Sequence, residues 1–437
     1  MKYAAPRGTR DLLPDETALW QTVEQICRET FELFGYREIR TPVFESTEVF
    51  ARSIGDSTDI VSKEMYTFAD RKGRSLTLRP EATASVVRAG LENNLIAPDS
   101  LLKLYYLGPM FRYERPQAGR QRQFHQAGVE AFGSADPLLD AETVQLSVKL
   151  FEDLGLKELE VDLNSVGCPK CQPVFRDALK KYFDRHLAEL CDDCRKRFEI
   201  NPLRILDCKE AACQKFIDKA PAMIDYLDPE CKAHFEAVKG WLDGLKVKYR
   251  LNDRLVRGLD YYTRTVFEVV SKQLGAQNAV CGGGRYDGLV EQFGGKPVPA
   301  IGFAVGLERL TEIIRQLHAD NLQPPAVNLF IATLGEAAKQ TGFDLVTRAR
   351  DLGFSADLDF LGRSLKAQLK AADKLGAEYV YIIGDAELAK KSAVLKNMRT
   401  AEQKEVAFSE LFSQFEGECE CGDNCSCDEE GCSCGEG

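Results

Sequence analysis

The chain has 437 residues, 44% of them apolar and 29% charged. That balance excludes collagen-like, wholly disordered and membrane-embedded chains and leaves room for about three domains. The formal charge of −11 is uneven, since residues 416–437 hold eight acidic residues and no base, which leaves −3 on the rest; a basic surface for a polyanion must therefore be local.

No run approaches the roughly 18 consecutive apolar residues of a membrane span. Lys2, Arg7, Arg10 and Asp11 stand at the N-terminus with no apolar stretch behind them, so no leader is expected and the protein should stay in the cytoplasm.

Leu19, Val23, Ile26, Cys27, Phe31 and Phe34 recur at helical spacing over residues 17–34, and Gly35 follows as a helix stop. Residues 36–41 read as a strand ending at Pro42, which has no N–H for a ladder. Residues 101–107 and 123–132 read as two strands flanking a polar, arginine-rich loop, hence antiparallel with a long hairpin connection. From about Cys168 to Arg250 the pattern turns helical and dense in charge and cysteine; Val174, Phe175, Ala178, Leu179 and Phe183 mark one such helix, and the span reads as an insertion. Strand character returns at 264–270, followed by the glycine run Gly282–Gly284 and an apolar helix from about Leu307.

After a break at Gln323-Pro324-Pro325, a strand at 328–333, helices at 336–352 and 363–375 and a strand at 379–383 predict a small α/β domain with a mostly parallel sheet. The final 22 residues have almost no large apolar side chains and are expected to be disordered unless a ligand folds them.

Several short segments could carry chemistry. In Leu78-Arg79-Pro80-Glu81-Ala82-Thr83, an extended backbone would present the Glu81 carboxylate and the Thr83 hydroxyl on one side, ready for an ammonium group; a turn leading into a helix is the plainer reading. Between 112 and 122, four arginines (Arg112, Arg115, Arg120, Arg122) face one acid, Glu114. Their planar forks suit phosphate oxygens, and Phe124 offers a stacking face for a base. On the returning strand Phe124, Gln126, Gly128 and Glu130 share a face at period two, with Gly128 leaving a gap between two hydrogen-bonding side chains. Arg257-Gly258-Leu259-Asp260-Tyr261-Tyr262, Cys281-Gly282-Gly283-Gly284-Arg285-Tyr286-Asp287-Gly288 and Gly302 through Arg309 complete the set; the glycines permit close approach to a ligand, although a glycine-rich turn is the commoner cause.

Thr41-Pro42-Val43-Phe44-Glu45, the Phe111-Arg112-x-Glu114 segment with its basic loop, and Gly306-Leu307-Glu308-Arg309 resemble motifs 1, 2 and 3 of class II aminoacyl-tRNA synthetases. Residues 255–262 and 282–289 resemble the two signatures of histidyl-tRNA synthetases, and the resemblance spans roughly residues 1–413 in order. It implies an α+β fold, with an antiparallel-sheet catalytic domain over 1–325 that carries the insertion at about 168–250 and an anticodon-binding α/β domain over 326–413; the resemblance is silent on residues 414–437, which composition alone reads as an acidic, cysteine-rich disordered tail. It further implies a homodimer built around Pro42, and a ligase that activates L-histidine with ATP and Mg2+ and transfers it to tRNA-His.

Residue by residue, the resemblance implies that Arg257 and Arg112 are catalytic, Arg257 contacting the histidine carboxylate and the α-phosphate and Arg112 the α-phosphate. Glu81, Thr83 and Gln126 would hold the amino group of histidine; Glu130 and Tyr262 would read the imidazole, with Tyr261 beside them. Phe124 would stack on adenine, Glu114 would sit by its amino group, and Arg309 would lie near the γ-phosphate or adenine. A rival reading is the regulatory subunit of ATP phosphoribosyltransferase, which resembles the catalytic domain but generally lacks the C-terminal domain and erodes the ATP arginines; here residues 326–413, Arg112, Arg257 and Arg309 all stand.

The cysteines leave zinc open. Cys168-x-x-Cys171 and Cys191-x-x-Cys194 have the spacing of a zinc ribbon, yet a helix over 173–185 would hold the pairs about 20 Å apart unless residues 186–190 fold back. Cys208 and Cys213 form a rival set with Cys191 and Cys194, and idle buried thiols remain a third possibility. In the tail, Cys419, Cys421, Cys425, Cys427, Cys432 and Cys434 form three Cys-x-Cys pairs: either a solvated acidic extension or a chain that wraps a soft metal.

Overall fold

The computed structural model describes residues 3–54, 60–114, 121–271, 279–317 and 327–415. The proline break at 323–325, Arg115, Arg120 and the cysteine-rich tail lie outside them. The described residues fall into two compact units, one within 1–322 and the other within 323–437.

The strands of the first unit are β1 (Arg37–Glu38), β2 (Phe44–Ser46), β3 (Tyr66–Ala69), β4 (Ser75–Leu78), β5 (Leu102–Phe111), β6 (Gln123–Phe132), β7 (Leu159–Ser165), β8 (Tyr249–Leu251), β9 (Thr263–Ser271), β10 (Ala279–Arg285) and β11 (Ala300–Gly306). Eight of them form one sheet in the order β1-β5-β6-β11-β10-β9-β7-β8, antiparallel except at its two edges, where β1 and β8 run parallel to β5 and β7. The smaller sheet β2-β4-β3 delivers residues 79–83 to the large one.

Period-two alternation splits the large sheet into two faces. On one face Ala127, Val129 and Ala131 of β6, Ile301, Phe303 and Val305 of β11, and Phe267 and Val269 of β9 join the main core. Helices Pro14–Leu33, Pro137–Asp153, Pro229–Gly244 and Leu307–Leu317 cover that face, contributing Phe31, Leu150, Val238 and Leu310. Interleaved residues Gln126, Gly128, Glu130, Gly302, Ala304 and Gly282 point to the other face, where the helix Thr83–Glu92 packs with Tyr106, Phe132 and Tyr286. The glycine run, for which a turn is the commoner cause and close approach to a ligand the alternative, lies within β10, and the stretch expected as a strand over 36–41 forms only two ladder residues.

The helical span between β7 and β8 contains helices Cys171–Asp184, Asp192–Ile200 and Ala211–Ile217 around a second core of Phe175, Leu179, Phe183, Ile205 and Ile217. Its last helix, Pro229–Gly244, belongs to the main core instead. The zinc-ribbon grouping fails: Cys168 and Cys171 lie with Asp228 and Cys231, while Cys191 and Cys194 lie with Cys208 and Cys213. The helix between the two pairs is the reason, since residues 186–190 do not bring its ends together.

The second unit contains β12 (Leu329–Thr333), β13 (Ala356–Leu358), β14 (Tyr379–Ile383), β15 (Ser392–Asn397) and β16 (Gln403–Ala407) in the order β13-β12-β14-β15-β16. Only the first three strands are parallel, so the sheet is mixed rather than mostly parallel. The added hairpin was hidden by its polar residues, such as Lys396, Gln403, Lys404 and Glu405.

Candidate functional site

The face of the sheet free of the four helices carries a cavity of about 170 Å³. Glu81, Thr83, Arg112, Gln126, Glu130, Arg257, Tyr261 and Tyr262 line it together with Tyr106, Tyr286, Gly282 and Gly302. It collects every side chain expected to contact histidine and both arginines expected to be catalytic.

Register explains how. Gly302 of β11 pairs with Glu130 of β6, and Glu268 of β9 pairs with Gly282 of β10. A Cβ at Gly302 would stand 2.1 Å from Glu130 Oε2, and one at Gly282 would stand 2.4 Å from the Arg257 guanidinium carbon, so each glycine clears space for a neighbour's charged group. The gap expected at Gly128 is filled from the next strand, where the Tyr106 hydroxyl occupies the place of a side chain.

Glu130 is buried and accepts hydrogen bonds from the Thr83 hydroxyl at 2.5 Å and from the Tyr286 hydroxyl. Burial raises its pKa to about 8, with the Glu81 charge adding to the rise and the two hydroxyls working against it. Glu81 does not sit on an extended piece alternating with Thr83. Thr83 opens a helix, and Glu81 accepts from the N–H groups of Thr83 and Ala84 at 2.6 and 3.0 Å, satisfying orphan donors of the first turn. Burial nevertheless pushes its pKa upward.

Arg257 pairs with Glu268, and its Nε is buried without a hydrogen-bond partner. Gln126 Oε1 is likewise buried and unpartnered. Two polar atoms left unmatched on one cavity wall are costly unless a ligand completes them.

Arg112 donates to Pro80 O at 2.9 Å, lies over the Phe124 ring at 5.2 Å, and reaches within 4.0 Å of Glu114. Glu114, Phe124 and Arg309 are outside the cavity lining; Arg309 is half-buried in the first turn of the helix after β11. Its neighbour Glu308 accepts from the backbone N–H of His125 at 2.8 Å, tying that helix to β6. Arg122 is occupied structurally, stacked on Tyr113 and donating to Glu114 O.

Tyr106, Tyr286 and Glu268 were missed by sequence reasoning. Tyr286 stood inside the glycine signature, but only the folded register brings its hydroxyl to Glu130.

A family model described as an anticodon binding domain matches residues 328–418. An antiparallel sheet bearing a cavity with two arginines and two carboxylates, on a chain with such a domain, defines a class II aminoacyl-tRNA synthetase. A second family model, described as histidyl-tRNA synthetase, matches residues 8–193 and 196–310. The chain is 52% identical over 419 residues to the histidine–tRNA ligase of Halothermothrix orenii, covering 95% of this chain and 99% of that one. It is 54% identical over 410 residues to the corresponding ligase of Pelotomaculum thermopropionicum, with 93% and 96% covered. The solved structure of apo S. aureus histidyl-tRNA synthetase matches with a TM-score of 0.79 at 38% identity, covering 94% and 99% of the two chains. The chain belongs to the histidyl-tRNA synthetase family.

Proposed function

We infer that this protein is a histidine–tRNA ligase: it joins L-histidine to ATP as histidyl-adenylate and transfers histidine to the 3′ end of tRNA-His. The observation that carries the reading is the buried, unpartnered Gln126 Oε1 in a cavity that it shares with Glu81 and Glu130. An α-ammonium donor completes Gln126 and Glu81, with Thr83 beside them. Glu130 and Tyr262 bind the imidazole N–H groups, and Tyr261 closes the ring pocket.

Activation is in-line attack by a carboxylate oxygen of histidine on the α-phosphorus. A new O–P bond forms as the bond to pyrophosphate breaks, and no proton needs to move. Positioning and charge neutralisation therefore carry the rate. Arg257 holds the attacking carboxylate and the α-phosphate, and Arg112 also holds the α-phosphate; fixed guanidinium charges suit this better than lysine. Phe124, Glu114 and Arg309 serve the adenine and the outer phosphates of ATP, which enters with Mg2+. The terminal ribose hydroxyl of tRNA then attacks the adenylate carbonyl and AMP leaves.

The second unit is assigned to the anticodon stem, with Lys390, Lys391, Lys396 and Arg399 available for phosphates. The working form is a cytoplasmic homodimer joined near Pro42, where Val43 is exposed just ahead of the edge strand β2 and Phe44 is exposed at its start; no described helix is long and apolar enough to cross a membrane.

Charging tests the reading. With ATP and Mg2+, labelled histidine should become attached to a tRNA-His transcript while other amino acids do not. Absence of histidine-dependent charging by folded protein would overturn it.

A further inference from the structure

Nine cysteines lie among the described residues, all of them free thiols. Cys27 and Cys281 are buried alone in the main core, the ordinary use of a thiol as a small hydrophobe. The other seven form two compact groups in the helical span, Cys191, Cys194, Cys208 and Cys213 in one, and Cys168, Cys171 and Cys231 with Asp228 in the other. Within each group the four ligand atoms lie within 4.8 Å of one another. We propose that these groups are two structural metal sites, a four-thiolate site and a three-thiolate, one-carboxylate site, each taking one Zn2+.

The spacing fits coordination and not disulfides. A tetrahedron with Zn–S distances of about 2.3 Å has S···S edges of about 3.8 Å, against about 2.05 Å for a disulfide. Cys191 Sγ and Cys208 Sγ are 3.8 Å apart, and Cys168 Sγ and Cys171 Sγ 3.6 Å. Both Cys-x-x-Cys pairs sit where a helix begins, at Cys171 and Asp192. There backbone N–H groups point at sulfur: Cys194 N at 3.4 Å from Cys191 Sγ, Cys191 N at 3.3 Å from Cys213 Sγ, Lys170 N at 3.4 Å from Cys168 Sγ and Asp228 N at 3.2 Å from Cys171 Sγ. Such donors are the outer shell that stabilises metal-bound thiolates.

Asp228 is the second, independent sign. Its Oδ1 caps the helix Pro229–Gly244 by accepting from Cys231 N at 2.7 Å, while Oδ2 lies 3.3 Å from Cys168 Sγ. A cap needs one oxygen; the other is aimed among three sulfurs, a place that apolar packing alone would not give a carboxylate. Four protein ligands leave no open position, so the sites are structural rather than catalytic, and thiolate softness with tetrahedral geometry selects zinc over magnesium or calcium.

The sites also bear on the cavity. Asn201 and Arg204, between ligands Cys194 and Cys208, bond Asp260 at 3.2 Å and Gly258 O at 2.5 Å. Gln172, next to Cys171, donates to Tyr262 O at 3.2 Å. Metal in the insertion thereby holds the loop that carries Arg257, Tyr261 and Tyr262. This consequence rests on the function proposed above, while the metal sites themselves do not.

The test uses the full chain with the six tail cysteines changed to serine, so that the tail cannot contribute thiolates. Metal analysis of protein purified without chelator should find about two zinc ions per chain, one of them lost in Cys194→Ser and the other in Cys231→Ser. Should either variant fail to fold, cobalt replacement in the unsubstituted insertion gives the answer alone: sulfur-to-cobalt charge-transfer bands with tetrahedral d–d bands support the sites. Zinc at background, with the seven thiols reacting freely in folded protein, overturns the proposal whether or not histidine is activated. With two zinc ions bound, the link to the cavity predicts that chelation raises the KM for histidine by about tenfold or more; an unchanged KM would break that link only.

Discussion

On the sheet, Glu130 and Arg257 keep their places because neighbouring strands are locked in register and Gly302 and Gly282 clear room for them. In the insertion no sheet exists: helices of seven to fourteen residues surround a small core in which five of the fifteen buried residues are cysteines. Short helices are marginal by themselves, so that region depends on what its thiols do, whereas the sheet depends on backbone pairing and a large apolar core. The two meet at residues 254–262, where Arg254 donates to Ala220 O and Pro221 O, and Arg204 donates to Gly258 O. A site built on a rigid sheet thus takes one of its two cations from a loop braced by the less self-sufficient region.

The sheet side should break hardest at Arg285. Its guanidinium and the Asp140 carboxylate are both fully buried and paired at 2.5 Å, with His234 bonding Asp140 from the helix Pro229–Gly244 at 3.0 Å. Arg285→Ala leaves the buried Asp140 carboxylate with His234 but without its guanidinium, and unfolding by urea should show a loss of about 3–5 kcal/mol. A loss below about 1 kcal/mol would show that the network is not holding the sheet to its helices.

Arg257→Ala should leave the fold intact and slow single-turnover adenylate formation by about 10²–10³-fold, because the lost charge acts on the transition state. Near-normal adenylation by the folded variant would remove Arg257 from the chemistry.

Glu130→Gln separates recognition from stability. The KM for histidine should rise while that for ATP stays the same. Folded Glu130 keeps its proton up to a pH of about 8, whereas an unfolded glutamate releases it near 4.5. Its contribution to stability is therefore full at low pH and is lost as pH rises through that window. Glutamine has no such loss, so thermal melts should show the variant gaining on the parent between pH 5 and 8. A constant gap would contradict the raised pKa.

Arg204→Ala should give the smallest effect, a rise of a few-fold in the histidine KM without loss of fold, since it removes only hydrogen bonds to Gly258 and Asp260 worth about 1 kcal/mol each. An effect confined to ATP would place the brace elsewhere.

Much of this was legible in the sequence. Residues 123–132 alternate so regularly that both faces of β6 could be assigned, and the site face held Gln126 and Glu130 as expected. For Glu81 and Thr83 the plainer of two readings holds: the segment is a turn leading into a helix, with Glu81 accepting from the first N–H groups of the helix that Thr83 begins, and not the extended piece that would have set the two side by side. Tyr106 and Glu268 were not seen, because alternation alone does not say that the Tyr106 hydroxyl fills the space over Gly128 or that Glu268 pairs with the cavity's Arg257. Of the two cysteine groupings the sequence offered, the ribbon fails and the rival set of Cys191, Cys194, Cys208 and Cys213 is the one brought together; Asp228 and Cys231 join Cys168 and Cys171 only after the chain returns some 57 residues later.

The central claim is that the cavity selects an imidazole by pairing its N–H groups with buried acceptors. Comparing kcat/KM for ATP–pyrophosphate exchange with L-histidine and with L-phenylalanine tests it most directly. A ring without N–H gives the buried Glu130 no donor beyond the Thr83 and Tyr286 hydroxyls and cannot replace the water it displaces, so histidine should be preferred by about 10⁴-fold or more. A preference below about 10²-fold is what a merely apolar pocket would give, and it would contradict the account.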